Sequence, residues 1–268
     1  MIFACDLDRT LIYSRNSMGA TESDELVPVE KYEGEDLSYM TRSAHRLLQR
    51  LSRELHFVPT TTRVHEQYAR IHGFSDGIHC RYAIVSNGGK VLVDGRADMQ
   101  WDRLLRQTVR KESASSAEIR SFFDRLVKEE WVMKERLCDE LFYAFVVKRE
   151  LLPSGFMEEL AREIGGHGWN CSLQGRKIYL VPNPVSKGAA VEYVKQLSGS
   201  RYVFAAGDSL LDESMLLIAD EALAPGHGEL FRKYGGKHER IRFTRSEGIR
   251  ASEDILATLT NRMEAGTA

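Results

Sequence analysis

The sequence predicts an α/β protein in which a parallel-sheet core domain is interrupted by an inserted α+β domain. Three observations lead there. Strand-like apolar runs alternate with amphipathic helices in both the first and the last third of the chain, the βαβ order that favours a parallel sheet covered by helices. From about residue 82 the pattern changes to a hairpin, two helices and paired strands, which suits helices packed on an antiparallel sheet. The 268 residues, 43% hydrophobic and 28% charged, are enough for one large core or two modest ones. The expected division is a core domain over 1–86 and 182–268, with the inserted α+β domain over 87–181.

In order along the chain, a strand over 1–5 is followed by a polar loop rich in Ser, Glu and Asp over 14–38 and an amphipathic helix from about Thr41 to Glu54. The run "HFVPTTT" reads as the second strand, leading to a helix from Val64 to His72. Apolar stretches on both sides of Asn87, Gly88 and Gly89 predict a hairpin over 82–95. Helices are expected over 98–111 and 116–130, strands at "LFYAFVVKRE", "WNCSLQG" and "RKIYLVP", and a helix over 154–165. The stretch "FFDRLVKEEWVMKER" reads as one amphipathic helix with Phe122, Phe123, Leu126 and Val127 inward. The last third gives helix "KGAAVEYVKQL", buried strand "RYVFAAGD", helix "SLLDESMLLIAD", short strand "EALAP" and closing helix "ASEDILATLTNRM".

Composition narrows the function. A formal net charge of −2 argues against a polyanion such as nucleic acid as partner, so any anion site must be local. The first residues lack the basic region and cleavage site of a secretory signal, and no apolar run approaches a membrane span, so a cytoplasmic protein with no membrane partner is expected. Cys5, Cys80, Cys138 and Cys171 lack C-x-x-C spacing and read as small core residues in a reducing compartment. The eight histidines contain no H-E-x-x-H pattern; His65 and His72 read as a solvated pair on one helix face.

Four polar segments then need a common explanation: Asp6 and Asp8 after the first strand, residues 60–63 after the second, Lys187 at a helix start, and Asp208 and Asp212 after "VFAAG". In an open α/β sheet the ligand crevice lies outside the carboxyl ends of the strands, where segments distant in sequence converge. Carboxylates about 4 Å apart repel by roughly 4 kcal/mol at an effective dielectric of 20, so several together require a cation. A hard divalent ion with oxygen ligands, such as magnesium, meets that need and leaves coordination positions for a phosphate. A carboxylate can attack phosphorus, a second can act as acid and base, and Lys with Thr can hold the phosphoryl oxygens. Taken singly, each segment has a plainer reading: Asp208 or a Thr as a helix cap, Lys187 as a surface lysine, Asn87-Gly88 as a turn. Their order and placement at strand ends favour the common site.

"DLDRTL" resembles the D-x-D-x-T signature of the haloacid dehalogenase superfamily of phosphatases. "TTTR", Lys187 in "PVSKGAAVEYV" and "GDSLLDESM" resemble its second, third and fourth motifs, in the family's order, with "ADEALAPGHG" continuing the pattern. The insertion opening with "SNGG" is similar to the large cap of the Cof-like and sucrose-phosphatase-like subgroup, which includes mannosyl-phosphoglycerate phosphatases. The resemblance implies a Rossmann-like core with an α+β cap, and a small phosphorylated metabolite as substrate. It implies Asp6 as nucleophile and metal ligand, and Asp8 as general acid/base whose main-chain carbonyl reaches Mg2+. It further implies Thr61 as phosphoryl contact, with Thr60 or Thr62 as alternatives, Thr62 and Arg63 beside it, Lys187 on the phosphoryl group, and Asp208 and Asp212 at the metal. Three positions depart from the pattern: Arg9 where the family has a small residue, Thr62 where related chains have Gly, and Leu211 where an Asn is usual. Arg176 and Lys177 read either as a second anion contact or, more simply, as a solvated face.

The function expected is a magnesium-dependent phosphatase acting through an aspartyl phosphate on a sugar phosphate or a sugar-linked phosphoglycerate. The alternatives are a phosphomutase or phosphotransferase using the same intermediate, and a sensor that binds a phosphorylated ligand without turnover.

Overall fold

The computed structural model describes residues 1–266, which divide into two compact units, 1–98 with 187–266 and 99–186. In chain order the first unit contributes β1 (Ile2–Cys5), the hairpin β2 (Leu26–Tyr32) and β3 (Glu35–Thr41), α1 (Arg42–Leu51), β4 (His56–Pro59) and α2 (His65–Tyr68), then β5 (Tyr82–Val85), β6 (Lys90–Val93) and β7 (Arg96–Ala97). The second unit holds α3 (Met99–Glu112), α4 (Ser116–Leu126), β8 (Val132–Cys138), β9 (Phe142–Val147), α5 (Phe156–Gly165), β10 (Trp169–Gln174) and β11 (Lys177–Pro182). The chain returns to the first unit with α6 (Lys187–Ser198), β12 (Val203–Ala206), α7 (Glu213–Ile218), β13 (Glu221–Ala224), α8 (Glu229–Tyr234), β14 (Ile241–Phe243) and α9 (Arg250–Gly266).

In the first unit five of the described strands form a parallel sheet ordered β14-β13-β12-β1-β4, beside the smaller antiparallel sheets β2-β3 and β5-β6-β7. Strands buried on both faces need continuous apolar runs, and all four residues of β1 and of β12 are buried. Phe3, Phe57 and Phe204 meet in one cluster with Leu48 of α1 and Ile255, Leu256 and Leu259 of α9. Helix α1 starts at Thr41, whose Oγ accepts from the Ala44 N–H at 3.1 Å and donates to Glu253 of α9 at 2.7 Å. One side chain thereby caps a helix and joins it to a segment two hundred residues on.

The second unit is a four-stranded antiparallel sheet ordered β10-β11-β9-β8, with α5 against β10 and α4 against α5. Phe123 of α4 stacks on Phe145 of β9 with ring centroids 4.0 Å apart. Among the described residues no helix is long and apolar enough to cross a membrane.

Several boundaries differ from those read in the sequence. The predicted hairpin over 82–95 belongs to the first unit, not to the insertion, because β5 continues the edge beyond β4: Thr60 bridges Ile84 in parallel, and the Thr61 N–H donates to the Ile84 carbonyl at 2.8 Å. The units therefore divide at 98/99 and 186/187 rather than at 86/87 and 181/182. The segment read as a loop over 14–38 contains β2 and the start of β3, which turn through Glu33 and Gly34 at φ 52° and 89°, the left-handed pair a tight hairpin demands. The helix over 122–136 stops at Leu126: Val127 is extended at φ −92°, ψ 144°, and 132–138 form an edge strand. Helix α2 ends at Tyr68, so His65 and His72 share no helix face.

Candidate active site

Every polar segment singled out in the sequence lies in the first unit. Asp6 follows β1 directly and donates its N–H to the Ala206 carbonyl at 2.8 Å, which fixes the residue just beyond the sheet. The chain then turns sharply, with the N–H groups of Leu11 and Ile12 both bonded to the Leu7 carbonyl, and the Thr10 hydroxyl comes back to Asp6 Oδ2 at 3.2 Å. Lys187, first residue of α6, is completely buried and places Nζ 2.6 Å from Asp6 Oδ1 and 2.5 Å from Asp212 Oδ1. Asp208, at the end of β12, is buried beside them; one oxygen from each of Asp6, Asp208 and Asp212 lies within 4.8 Å of the others.

Two glycines make this closeness possible. A Cβ at Gly207 would sit 2.4 Å from the Asp212 Cβ, and one at Gly188 would sit 2.6 Å from the Ser214 carbonyl oxygen, so neither position has room for a side chain. The predicted helix over 209–220 begins only at Glu213; Leu210–Asp212 form a 3-10 turn that aims the Asp212 carboxylate inward. Both its oxygens are engaged, Oδ1 with Lys187 and Oδ2 with the N–H and hydroxyl of Ser209 at 2.8 and 2.7 Å. The Leu211 side chain is half-buried and brings no polar atom to the site.

Three buried carboxylates share one buried ammonium, and the titration of the site reflects it. Burial, then the Asp212 charge, push Asp6 up to about 7 against the pull of Lys187. Asp208 is raised well above the carboxylate range by burial and by Asp6 and Asp212. Burial disfavours the Lys187 cation, but Asp212 and Asp6 more than offset that and raise its pKa. Two carboxylates 4.8 Å apart cost about 3.5 kcal/mol at an effective dielectric of 20, which a divalent cation among hard oxygen donors removes. The donor set of Asp6 and Asp208 fits magnesium on that ground.

A carboxyl whose pKa is raised on folding keeps a proton in the native state that the unfolded chain gives up, so its contribution is full below about pH 4 and lost as pH rises through about 7. In chelator the melting temperature is expected to fall between pH 5 and pH 8, and millimolar magnesium to raise it more at pH 8 than at pH 5. A magnesium increment independent of pH would count against metal binding at these carboxylates.

Asp8 stands apart from the buried cluster. Its half-exposed carboxylate takes a bidentate pair from Arg63, Nε and Nη2 at 2.7 Å each, and Arg63 also donates to Glu30, Nη1 to Oε1 at 2.7 Å and Nη2 to Oε2 at 3.1 Å. Glu30 is buried on β2 and takes the Ser38 hydroxyl of β3 at 2.5 Å. Burial disfavours the Arg63 cation, but Asp8 and Glu30 more than offset it and raise its pKa. The guanidinium expected at substrate is thus directed at two carboxylates, and sequence reasoning missed Glu30 and Ser38 altogether. Thr60 and Thr61 are fully buried: the Thr60 hydroxyl donates to the Val58 carbonyl at 3.0 Å, and Thr61 Oγ accepts the Arg63 N–H at 3.1 Å. Thr62 is half-buried on the same loop.

No protein-family model and no curated protein matches this sequence. Solved structures do. A sucrose-phosphatase from Synechocystis, in complex with sucrose and phosphate, aligns over 97% of this chain and 98% of its own at TM-score 0.70 and 14% identity. A subclass IIB sugar phosphatase of the haloacid dehalogenase superfamily aligns over 97% and 98% at TM-score 0.57 and 12% identity. A trehalose-6-phosphate phosphatase related protein aligns over the whole of both chains at TM-score 0.53 and 17% identity. Identities this low speak for architecture, and the architecture is unambiguous over nearly the whole length: the chain has the fold of haloacid dehalogenase superfamily phosphatases, a Rossmann-like core with an inserted α+β domain.

Proposed function

We propose that the chain is a phosphoric monoester hydrolase that uses magnesium and an aspartyl phosphate on Asp6 to hydrolyse a small phosphorylated sugar or a sugar-linked phosphoglycerate. The observation that carries this reading is Lys187 Nζ held between Asp6 and Asp212 with Asp208 alongside, at the carboxyl ends of β1 and β12. A buried lysine paired with two carboxylates is costly as a mere structural device. The likeness to a sucrose-phosphatase in complex with sucrose and phosphate, and to a subclass IIB sugar phosphatase, supports the substrate class.

The Asp6 carboxylate attacks phosphorus, and the bond from phosphorus to the ester oxygen breaks as the leaving oxygen takes a proton from Asp8. Asp8 then removes a proton from water, which attacks the acyl phosphate and returns Asp6 with inorganic phosphate. Lys187 neutralises the nucleophile before attack and the phosphoryl oxygens afterwards, and Asp212 holds Lys187 in place. Thr61 contributes at the phosphoryl group through its loop. Asp6 and Asp208 would hold magnesium, which would supply charge neutralisation for the phosphoryl group.

Asp8 must carry a proton in the first step, whereas a bidentate arginine favours its ionised form. Glu30 answers this: Arg63 keeps a carboxylate partner when Asp8 turns to the substrate, so Arg63 is a positioning residue here rather than a substrate contact.

The test is phosphate release from sugar phosphates, phosphoglycerate conjugates and an aryl phosphate, with magnesium and with chelator. Magnesium-dependent release concentrated on a few compounds is expected. Transfer of the phosphoryl group to a sugar hydroxyl would move the assignment to a phosphotransferase, and ligand binding with no release from any compound to a sensor.

A further inference from the structure

Arg9 occupies a backbone position suited to glycine. Its φ is 66°, in the left-handed region that costs a residue with a side chain roughly 1–2 kcal/mol. Neighbours hold it there: its N–H donates to the Ile12 carbonyl at 2.9 Å, and its carbonyl accepts from the Tyr13 hydroxyl at 2.7 Å and from His227 Nε2 at 3.1 Å. The His227 tautomer is fixed, because Nδ1 accepts the Gly248 N–H at 3.0 Å and the proton must therefore be on Nε2. Backbone strain kept beside a candidate active site raises the question of what the side chain does.

The side chain is 46% exposed, and its one ionic contact among the described residues is loose, Nε to Asp208 Oδ2 at 3.7 Å. That is beyond hydrogen-bond length, so the planar fork of N–H donors is left for a ligand. Arg9 lines a cavity of about 580 Å³ together with, among others, Asn16, Ser17, His227 and Glu247. The volume suits a small metabolite. Arg9 is the sole Lys or Arg of the lining, and burial lowers the His227 pKa, so an anion entering the cavity finds its positive charge at Arg9. Glu247 repels an anion from another part of the wall, where a hydroxyl would be accepted.

We propose that this cavity is a subsite of the phosphatase site and that Arg9 receives a second anionic group of the substrate, a carboxylate or a further phosphate, beside the phosphate that is cleaved. The inference rests on the phosphatase reading and selects, within it, phosphorylated acids and bisphosphates over sugar phosphates with a single anionic group.

Arg9→Gly is the informative variant, since glycine accepts φ 66° and the fold keeps its backbone bonds; an unchanged or higher melting temperature verifies that. Two matched pairs separate the anion sources: 2-phosphoglycerate against glycerol 2-phosphate, and fructose 1,6-bisphosphate against fructose 6-phosphate. The wild-type protein is expected to favour the member with two anionic groups in at least one pair by tenfold or more in kcat/KM, and Arg9→Gly to lose that preference through KM. Preference for the acid alone identifies a carboxylate subsite, for the bisphosphate alone a phosphate subsite. The same preference in both proteins, no preference in the wild type, or an equal loss on all four compounds overturns the proposal. Calorimetric binding of the same four compounds reads the preference without turnover, so a protein that binds selectively but releases no phosphate fails the hydrolase reading and not the subsite.

Discussion

Asp6→Asn is expected to abolish phosphate release, lowering kcat by at least about a thousandfold, because an amide of the same shape cannot form the acyl phosphate. The substitution also removes a charge that burial and Asp212 disfavour. In chelator at pH 8 the variant is therefore expected to melt at the same temperature as the wild type or higher, and to lose most of the magnesium increment. Catalysis and stability thus move in opposite directions at one residue, as befits a charge kept for chemistry. Phosphate release within tenfold of wild type would place the nucleophile elsewhere.

Lys187→Met carries the largest expected stability cost. It leaves the charges of Asp6 and Asp212, now 2.6 and 2.5 Å from a shared ammonium, buried without a compensating cation, with only Thr10 and Ser209 still donating to them. Breaking a buried ion pair from one side costs about 3–5 kcal/mol. Urea unfolding in chelator should show a loss of that order, and adding Asp212→Asn should recover a substantial part of it, because the orphaned charge is then gone. A loss under about 1 kcal/mol for Lys187→Met would mean that the ammonium is replaceable by solvent and the site is wetter than its geometry implies.

The centre of the site was legible for a physical reason. A buried strand such as "IFAC" ends in carboxylates only where something compensates them, and β12 with Gly207 and Asp208 repeats the device. What escaped notice depends on partners distant in sequence. Glu30 lies in a polar stretch and is buried only because Arg63 and Ser38 satisfy it. Arg63, read as a substrate contact, has its donors directed by Asp8 and Glu30, which no local pattern records. The edge strand 132–138 is mostly exposed and rich in charge, the usual protection of a sheet edge, and such a stretch mimics the solvated face of a helix. The boundary of the insertion was misplaced because the Asn87-Gly88 turn looks the same whichever unit its strands join.

The strand order has a consequence in time. Ile2 lies opposite Val203 and Asp6 bonds to Ala206, so β1 must wait for a strand made about two hundred residues later. Residues 99–186, whose sheet pairs neighbouring strands with β11 inserted between β9 and β10, have all their partners before the second half of the core has been synthesised. A growing chain released before residue 187 would carry Asp6 with neither the lysine that neutralises it nor the strand beside it. Ribosomal products cut short ahead of Asp208 would lack part of the candidate site, and the apolar edge of β1 is what such fragments would offer to chaperones.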